Sequence, residues 1–142
     1  MKSTLVLILS LTLLLLAPAA FSQGRLEVTV TGIRSLDGTV RVGLFNEKRD
    51  FPQKAIEGRV VWVTGDSVIV VFERLDPGKY GLSVVHDENN NEELDTNTFG
   101  IPKEGFAFGN NAMGMFGPPS FEKASVTIGA VPVRQEIRLR YF

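Results

Sequence analysis

Leu26-Glu27-Val28-Thr29-Val30-Thr31 places an apolar side chain at every second position, with polar residues between. A strand turns successive side chains to opposite faces, so this pattern predicts a β-strand with one face in a core and the other in water. The same beat returns in Val40, Val42 and Leu44, opposite Thr39, Arg41 and Gly43. Tyr80, Leu82 and Val84 repeat it, as do Ala124, Val126 and Ile128. Near the end Val131, Val133, Ile137, Leu139 and Tyr141 alternate opposite Arg134, Glu136, Arg138 and Arg140. Val60-Val61-Trp62-Val63 and Val68 to Phe72 flank a turn at Thr64-Gly65-Asp66-Ser67. Asp37-Gly38 reads as a hairpin-type turn, and Asp76-Pro77-Gly78 is another turn. The expected fold is all-β: seven short antiparallel strands in an immunoglobulin- or transthyretin-like sandwich, with a small barrel as the alternative.

A length of 142 residues suits one domain. The 15 Lys+Arg against 16 Asp+Glu leave no basic excess, so nucleic acid is not an expected partner. The chain has no Cys, which excludes disulfides, thiolate metal sites and a cysteine nucleophile. A single His excludes a multi-histidine metal centre within one chain.

Met1-Lys2-Ser3 carries one positive charge, Leu5 to Leu16 is almost wholly apolar, and Ala17-Pro18-Ala19-Ala20-Phe21-Ser22 supplies small residues. That layout is a secretory signal peptide. Its apolar run is shorter than the roughly 20 residues of a membrane span. The sequence therefore predicts a signal peptide over residues 1–22, cleaved after Ser22 or Ala19, and one mature domain over 23–142. The product is expected to be exported, periplasmic or extracellular, with no membrane span after cleavage.

From His86 to Phe121 the alternation stops, over a stretch far longer than the usual connection of about 4–6 residues. Phe99, Phe106, Phe108, Phe116 and Phe121 lie within it. Aromatic surface of that kind seeks burial, so the segment is expected to be one long ordered loop, 86–121, capping an end of the sandwich.

The loop opens with His86-Asp87-Glu88-Asn89-Asn90-Asn91-Glu92-Glu93-Leu94-Asp95. Asp87, Asn89 and Asn91 stand at alternate positions, Glu93 can offer its backbone carbonyl, and Asp95 can add a direct or water-mediated oxygen. Ca²⁺ takes about 6–8 oxygen ligands, and alternate residues of a curled loop aim theirs at one centre. Two positions depart from the usual calcium loop: Glu92 stands where Gly is preferred, and Thr98 where a bidentate Glu is. Asn90 can take the left-handed conformation, whereas Glu92 does so at a cost. Two readings stay open, a Ca²⁺ site and a solvated acidic turn whose Asn side chains bond to their own backbone. Asn110 or Asn111 could complete a site from across the loop.

His86 shares the parity of Tyr80, Leu82 and Val84, so it is expected to point coreward as a hydrogen-bonded structural residue. A weak hydrolase around His86 and Asp87 is the rival, although no Gly-x-Ser-x-Gly elbow is present and Ser83 and Ser120 have no distinctive setting. Phe106, Phe108, Met115 and Phe116, with Asn110 and Asn111, allow a platform for a protein or carbohydrate. Burial over the sandwich end is the expectation favoured for these aromatics.

The segments His86-Asp87-Glu88-Asn89, Leu94-Asp95-Thr96-Asn97, Gly100-Ile101-Pro102-Lys103-Glu104-Gly105, Asn110-Asn111-Ala112 and Phe116-Gly117-Pro118-Pro119-Ser120-Phe121 resemble bacterial domain-of-unknown-function family 2141. The resemblance spans essentially the whole mature chain and is densest in the long loop. It implies an exported β-sandwich protein of the bacterial envelope and brings no assigned activity or site residues. The family pattern has glycines where this chain has Asn90 and Glu92. Leu75-Asp76-Pro77-Gly78-Lys79-Tyr80 is similar to transthyretin-like and carboxypeptidase-regulatory-like modules. Arg138-Leu139-Arg140-Tyr141-Phe142 lacks the Tyr-Arg-Gly-Ser ending of the transthyretin-related hydrolases, so their activity is not implied. The expected function is a non-enzymatic binding or structural module, with Ca²⁺ or no cofactor at all.

Overall fold

The computed structural model describes residues 23–142; the signal peptide expected over 1–22 lies outside them. In chain order the strands are β1 (Gly24–Thr31), β2 (Thr39–Phe45), β3 (Glu57–Trp62), β4 (Ser67–Leu75), β5 (Gly78–Asp87), β6 (Gly105–Phe108), β7 (Ser125–Ile128) and β8 (Val133–Arg138). Three of them form one sheet in the order β4-β1-β8. The second sheet has five strands, in the order β3-β2-β5-β6, with β7 also paired to β5.

The alternating residues meet where the two sheets face each other. Leu26, Val28 and Val30 of β1 are buried, as are Val40, Val42 and Leu44 of β2 and Leu82 and Val84 of β5. Burying one such side chain contributes about 1.5–3 kcal/mol, so these faces hold the layers together. The fold is the expected all-β sandwich.

Three details differ from the sequence expectation. An eighth strand, β6, lies inside the long loop; Gly105, Phe106 and Ala107 are buried in succession, so no alternation announces it. The strands are not all antiparallel, because β8 runs parallel to β1 from Leu26↔Val133 to Thr31↔Arg138. Sequence parity marks faces and carries no information on which strands become neighbours.

The third difference concerns the turns. Asp37-Gly38 is not a hairpin, because β1 and β2 belong to different sheets. It is an arch from one layer to the other, as are the 64–67 and 76–78 turns. Gly38 is needed there: its φ is +70°, and an added Cβ would run into the Asp87 carbonyl oxygen.

The 46–56 connection folds over the outer face of the five-stranded sheet. Its Phe51 meets Phe45, Phe108 and Phe121 edge-on at 5.2, 5.9 and 6.0 Å. This cluster pins the long loop to the sheet and opens the space beside it that forms the site.

Candidate functional site

Asp87 ends β5 with its side chain fully buried. Its Oδ1 accepts the N–H of Asn91 at 3.1 Å, and its Oδ2 accepts that of Glu92 at 2.9 Å. Asn89 Oδ1 accepts the Asn91 N–H, and Asn91 Oδ1 accepts the Glu93 N–H. The Nδ2 groups of Asn89 and Asn91 donate to the two oxygens of Asp95 at 2.6 and 3.1 Å. Asp87, Asn89, Asn91 and Asp95 are thus drawn into one turn, whereas Glu93 joins through its backbone and leaves its side chain exposed. The tight turn that glycines would favour is made by Asn90 at φ 57° and Glu92 at φ 70°.

Sequence reasoning missed two partners of this turn. Arg41 of β2 places Nη1 3.7 Å from Asp87 Oδ2 and 3.7 Å from Glu92 Oε1, offsetting part of the negative charge. Glu104 is buried, and its carboxylate accepts the N–H of Glu88 at 2.9 Å and of Asp95 at 3.0 Å. It braces both ends of the turn. The one sequence signal for it is a lone carboxylate directly before the apolar stretch Gly105-Phe106-Ala107-Phe108.

His86 points coreward as its parity predicts, fully buried, with Nε2 2.7 Å from the Asp37 carbonyl and Nδ1 2.8 Å from the Tyr141 hydroxyl. Arg34 lies 4.4 Å over the Tyr141 ring and grips the Glu88 carboxylate through Nε and Nη2 at 3.0 and 2.5 Å. That grip, helped by Ser35, holds the Glu88 carboxyl below its usual range, against the opposing effect of burial. The same bond raises Arg34, and burial pushes the Tyr141 phenol up.

Asn110 and Asn111 take left-handed conformations, φ 56° and 52°. Asn110 Nδ2 donates to the Lys123 and Ser125 carbonyls, while Asn111 bonds the Glu136 carbonyl and the Arg138 N–H. Their side chains stitch the loop to the β7 and β8 strands, and their bonds lie there rather than at the acidic turn.

The aromatic half of the loop corrects an expectation. Phe106 and Phe121 are buried, but Phe99 and Met115 are each 87% exposed and Phe116 is 99% exposed. Phe99 sits at the tip of a small arm, 95–103, closed by Lys103 N–H to Asp95 O and Asn97 N–H to Ile101 O. Met115 and Phe116 belong to a second stretch, 112–118. Between them runs a groove of about 800 Å³ floored by Phe106 and Phe108 and walled by Phe142, which packs 5.6 Å from Phe106. Phe51 fills the space against Phe108 and Phe121, beside the groove. Among the described residues no charged side chain lines it, and its polar side chains are Gln53 and Thr96.

Residues 28–136 match the sequence profile of the family described as uncharacterized protein conserved in bacteria, DUF2141. The chain belongs to that family. The match runs from within β1 to within β8, so the acidic turn and both arms of this DUF2141 chain lie inside the family's span. No curated protein and no solved structure matches the chain.

In this DUF2141 chain the acidic turn and the His86–Tyr141 pair are internally bonded and fix the loop. The groove is different in kind, since Phe99, Met115 and Phe116 at its rim are open to water. An arrangement of this sort can hold apolar surface by desolvation, and about 300–1,000 Å³ is the usual volume of a small-molecule site.

Proposed function

We propose that this DUF2141 protein is an exported, non-enzymatic binding module whose working surface is the groove between the 95–103 and 112–118 segments. The supporting observation is the exposure of Phe99, Met115 and Phe116 around one concave, uncharged space. Contiguous exposed apolar surface is rare on soluble monomers and marks binding sites. Gln53 and Thr96 are too few to replace the water lost by the hydroxyls of a sugar, so an apolar ligand fits better than a carbohydrate. Methionines beside phenylalanines suit ligands of varying shape, because the thioether side chain adapts. Export rests on the charge, apolar run and small residues of Met1 to Ser22.

Titration of the purified exported protein with the neutral dye Nile red tests this reading. Saturable fluorescence enhancement is expected, reduced at least about fivefold in affinity by Phe116→Ser, the scale of one lost aromatic contact. Absence of saturable binding, or full binding by the variant, rejects it.

A second reading, a Ca²⁺ ion at the acidic turn, is favoured by the meeting of Asn89 and Asn91 on Asp95. The ion would draw on carboxylate oxygens of Asp87 and Asp95, the amide oxygens of Asn89 and Asn91 and the Glu93 carbonyl. Arg41 opposes it. Calcium at 100 times its dissociation constant should add about 2.7 kcal/mol of stability. No shift in melting temperature at millimolar calcium discards the ion.

A further inference from the structure

Building on the groove reading, we infer that the ligand is a single-chain amphiphile with an uncharged polar head, its tail in the groove and its head in an adjoining hollow. That hollow lies on the outer face of the five-stranded sheet. Cross-strand partners share a face, and one row of partners runs Gly58↔Gly43, Gly43↔Ser83 and Ser83↔Phe108. Over three strands this row carries nothing larger than a hydroxymethyl group. The next row, Val60↔Arg41 and Arg41↔Val85, stands taller. The result is a depression of about 280 Å³, walled by Pro52 and Gln53 on one side and Arg41 and Leu94 on the other.

Gln53 and Leu94 line both the hollow and the apolar groove, and the low row leads directly to Phe108 on the groove floor. The two spaces are therefore one channel with a polar end and an apolar end. The apolar end admits no charge without an unpaired desolvation cost. At the polar end, Arg41 is matched by Glu92 and by Asp87 behind it, while Arg59 shares the opposite face with Val42 and pairs with Glu57. An anionic head meets Glu92 and Glu93, with Asp87 behind Arg41; a cationic head meets the Arg41 guanidinium. An uncharged head bearing hydroxyl groups avoids both. It finds the Ser83 hydroxyl, the Gln53 amide and the N–H groups of Arg41, which reaches its carboxylates only at 3.7 Å.

Calorimetry on the purified exported protein, below micelle concentrations, tests this with three probes that share a nonyl tail: monodecanoylglycerol, decanoate and nonyltrimethylammonium. The neutral probe is expected to bind at least about tenfold tighter than either ion, the scale of an uncompensated head group. Gly58→Val fills the hollow; an added Cβ there meets only the Val42 carbonyl oxygen, at 4.0 Å. It should weaken monodecanoylglycerol about tenfold, leaving Nile red affinity and melting temperature unchanged. Ser83→Ala is the second variant, removing a head partner with little change in shape. Equal affinity for the three probes, or full monodecanoylglycerol binding by both variants, overturns the inference and leaves the groove reading standing. If neither the amphiphiles nor Nile red bind, both fall.

Discussion

The hydroxyl of Tyr141 lies 2.8 Å from Nδ1 of His86, joining the last residues of the chain to the end of β5. The Asp37 carbonyl at Nε2 can only accept, so Nε2 carries the ring proton and Tyr141 donates to Nδ1. The Tyr141 oxygen in turn accepts the Arg34 N–H at 3.3 Å. Phe142 follows directly and walls the groove, so this buried bond sets one side of the binding surface.

Tyr141→Phe keeps the ring beneath Arg34 but strands Nδ1 in a fully buried position. Stability should fall by about 1–3 kcal/mol, read from the urea midpoint, because the lost partner leaves a desolvated acceptor. An unchanged midpoint would show that the bond contributes nothing.

Asp87→Asn replaces one acceptor oxygen with an N–H group facing the backbone N–H of Asn91 or Glu92. Two donors then confront each other without water, and Arg41 loses a counter-charge. The expected loss is about 3 kcal/mol, the scale of a broken buried charge contact. A variant as stable as the parent in thermal unfolding contradicts the hub role of Asp87.

Glu92→Gly should stabilise. A left-handed non-glycine residue costs about 1–2 kcal/mol. The exposed contact to Arg41 that would be lost is worth less, about 0.2–1 kcal/mol. Glycine's greater freedom in the unfolded chain takes back part of the gain, leaving a net increase of roughly 0.5 kcal/mol. A lower melting temperature would mean that the turn depends on the Arg41 contact.

Both limbs of the pH–stability curve have an assigned source. Glu88 is held below its ordinary 4.5 by the Arg34 hydrogen bond, so the unfolded chain binds that proton more readily. Its contribution is present above 4.5 and fades as pH falls through the lower folded value. Tyr141 is pushed above 10.0, chiefly by burial, so its contribution is complete below 10.0 and fades as pH rises through the folded value. Tyr80, also raised by burial, acts in the same direction. Glu88→Gln should flatten the acid limb and Tyr141→Phe the alkaline one, measured as urea midpoints across pH. Unchanged limbs would assign them elsewhere.

How much could be read in advance follows from what periodicity encodes. Leu26, Val28, Val30, Val40, Val42, Leu44, Leu82 and Val84 alternate in the sequence and are buried in the fold, because a half-wet strand imposes that pattern. Phe106 and Ala107 are both buried, so β6 left no such trace. The spacing of Asp87, Asn89, Asn91 and Asp95 announced their convergence; Arg41 and Glu104 arrive from distant positions and could not be foreseen. Apolar composition identified Phe99, Met115 and Phe116 as notable but not whether anything covers them, since that is set by tertiary packing.

The central claim is that the channel from Ser83 to Phe116 holds a ligand, and amide chemical-shift mapping during titration with monodecanoylglycerol addresses it most directly. The shifts should cluster at Gln53, Ser83, 94–102, 112–118 and Phe142, saturating together at one ligand per chain. Shifts confined to the β4-β1-β8 sheet, or none at all, would contradict the account.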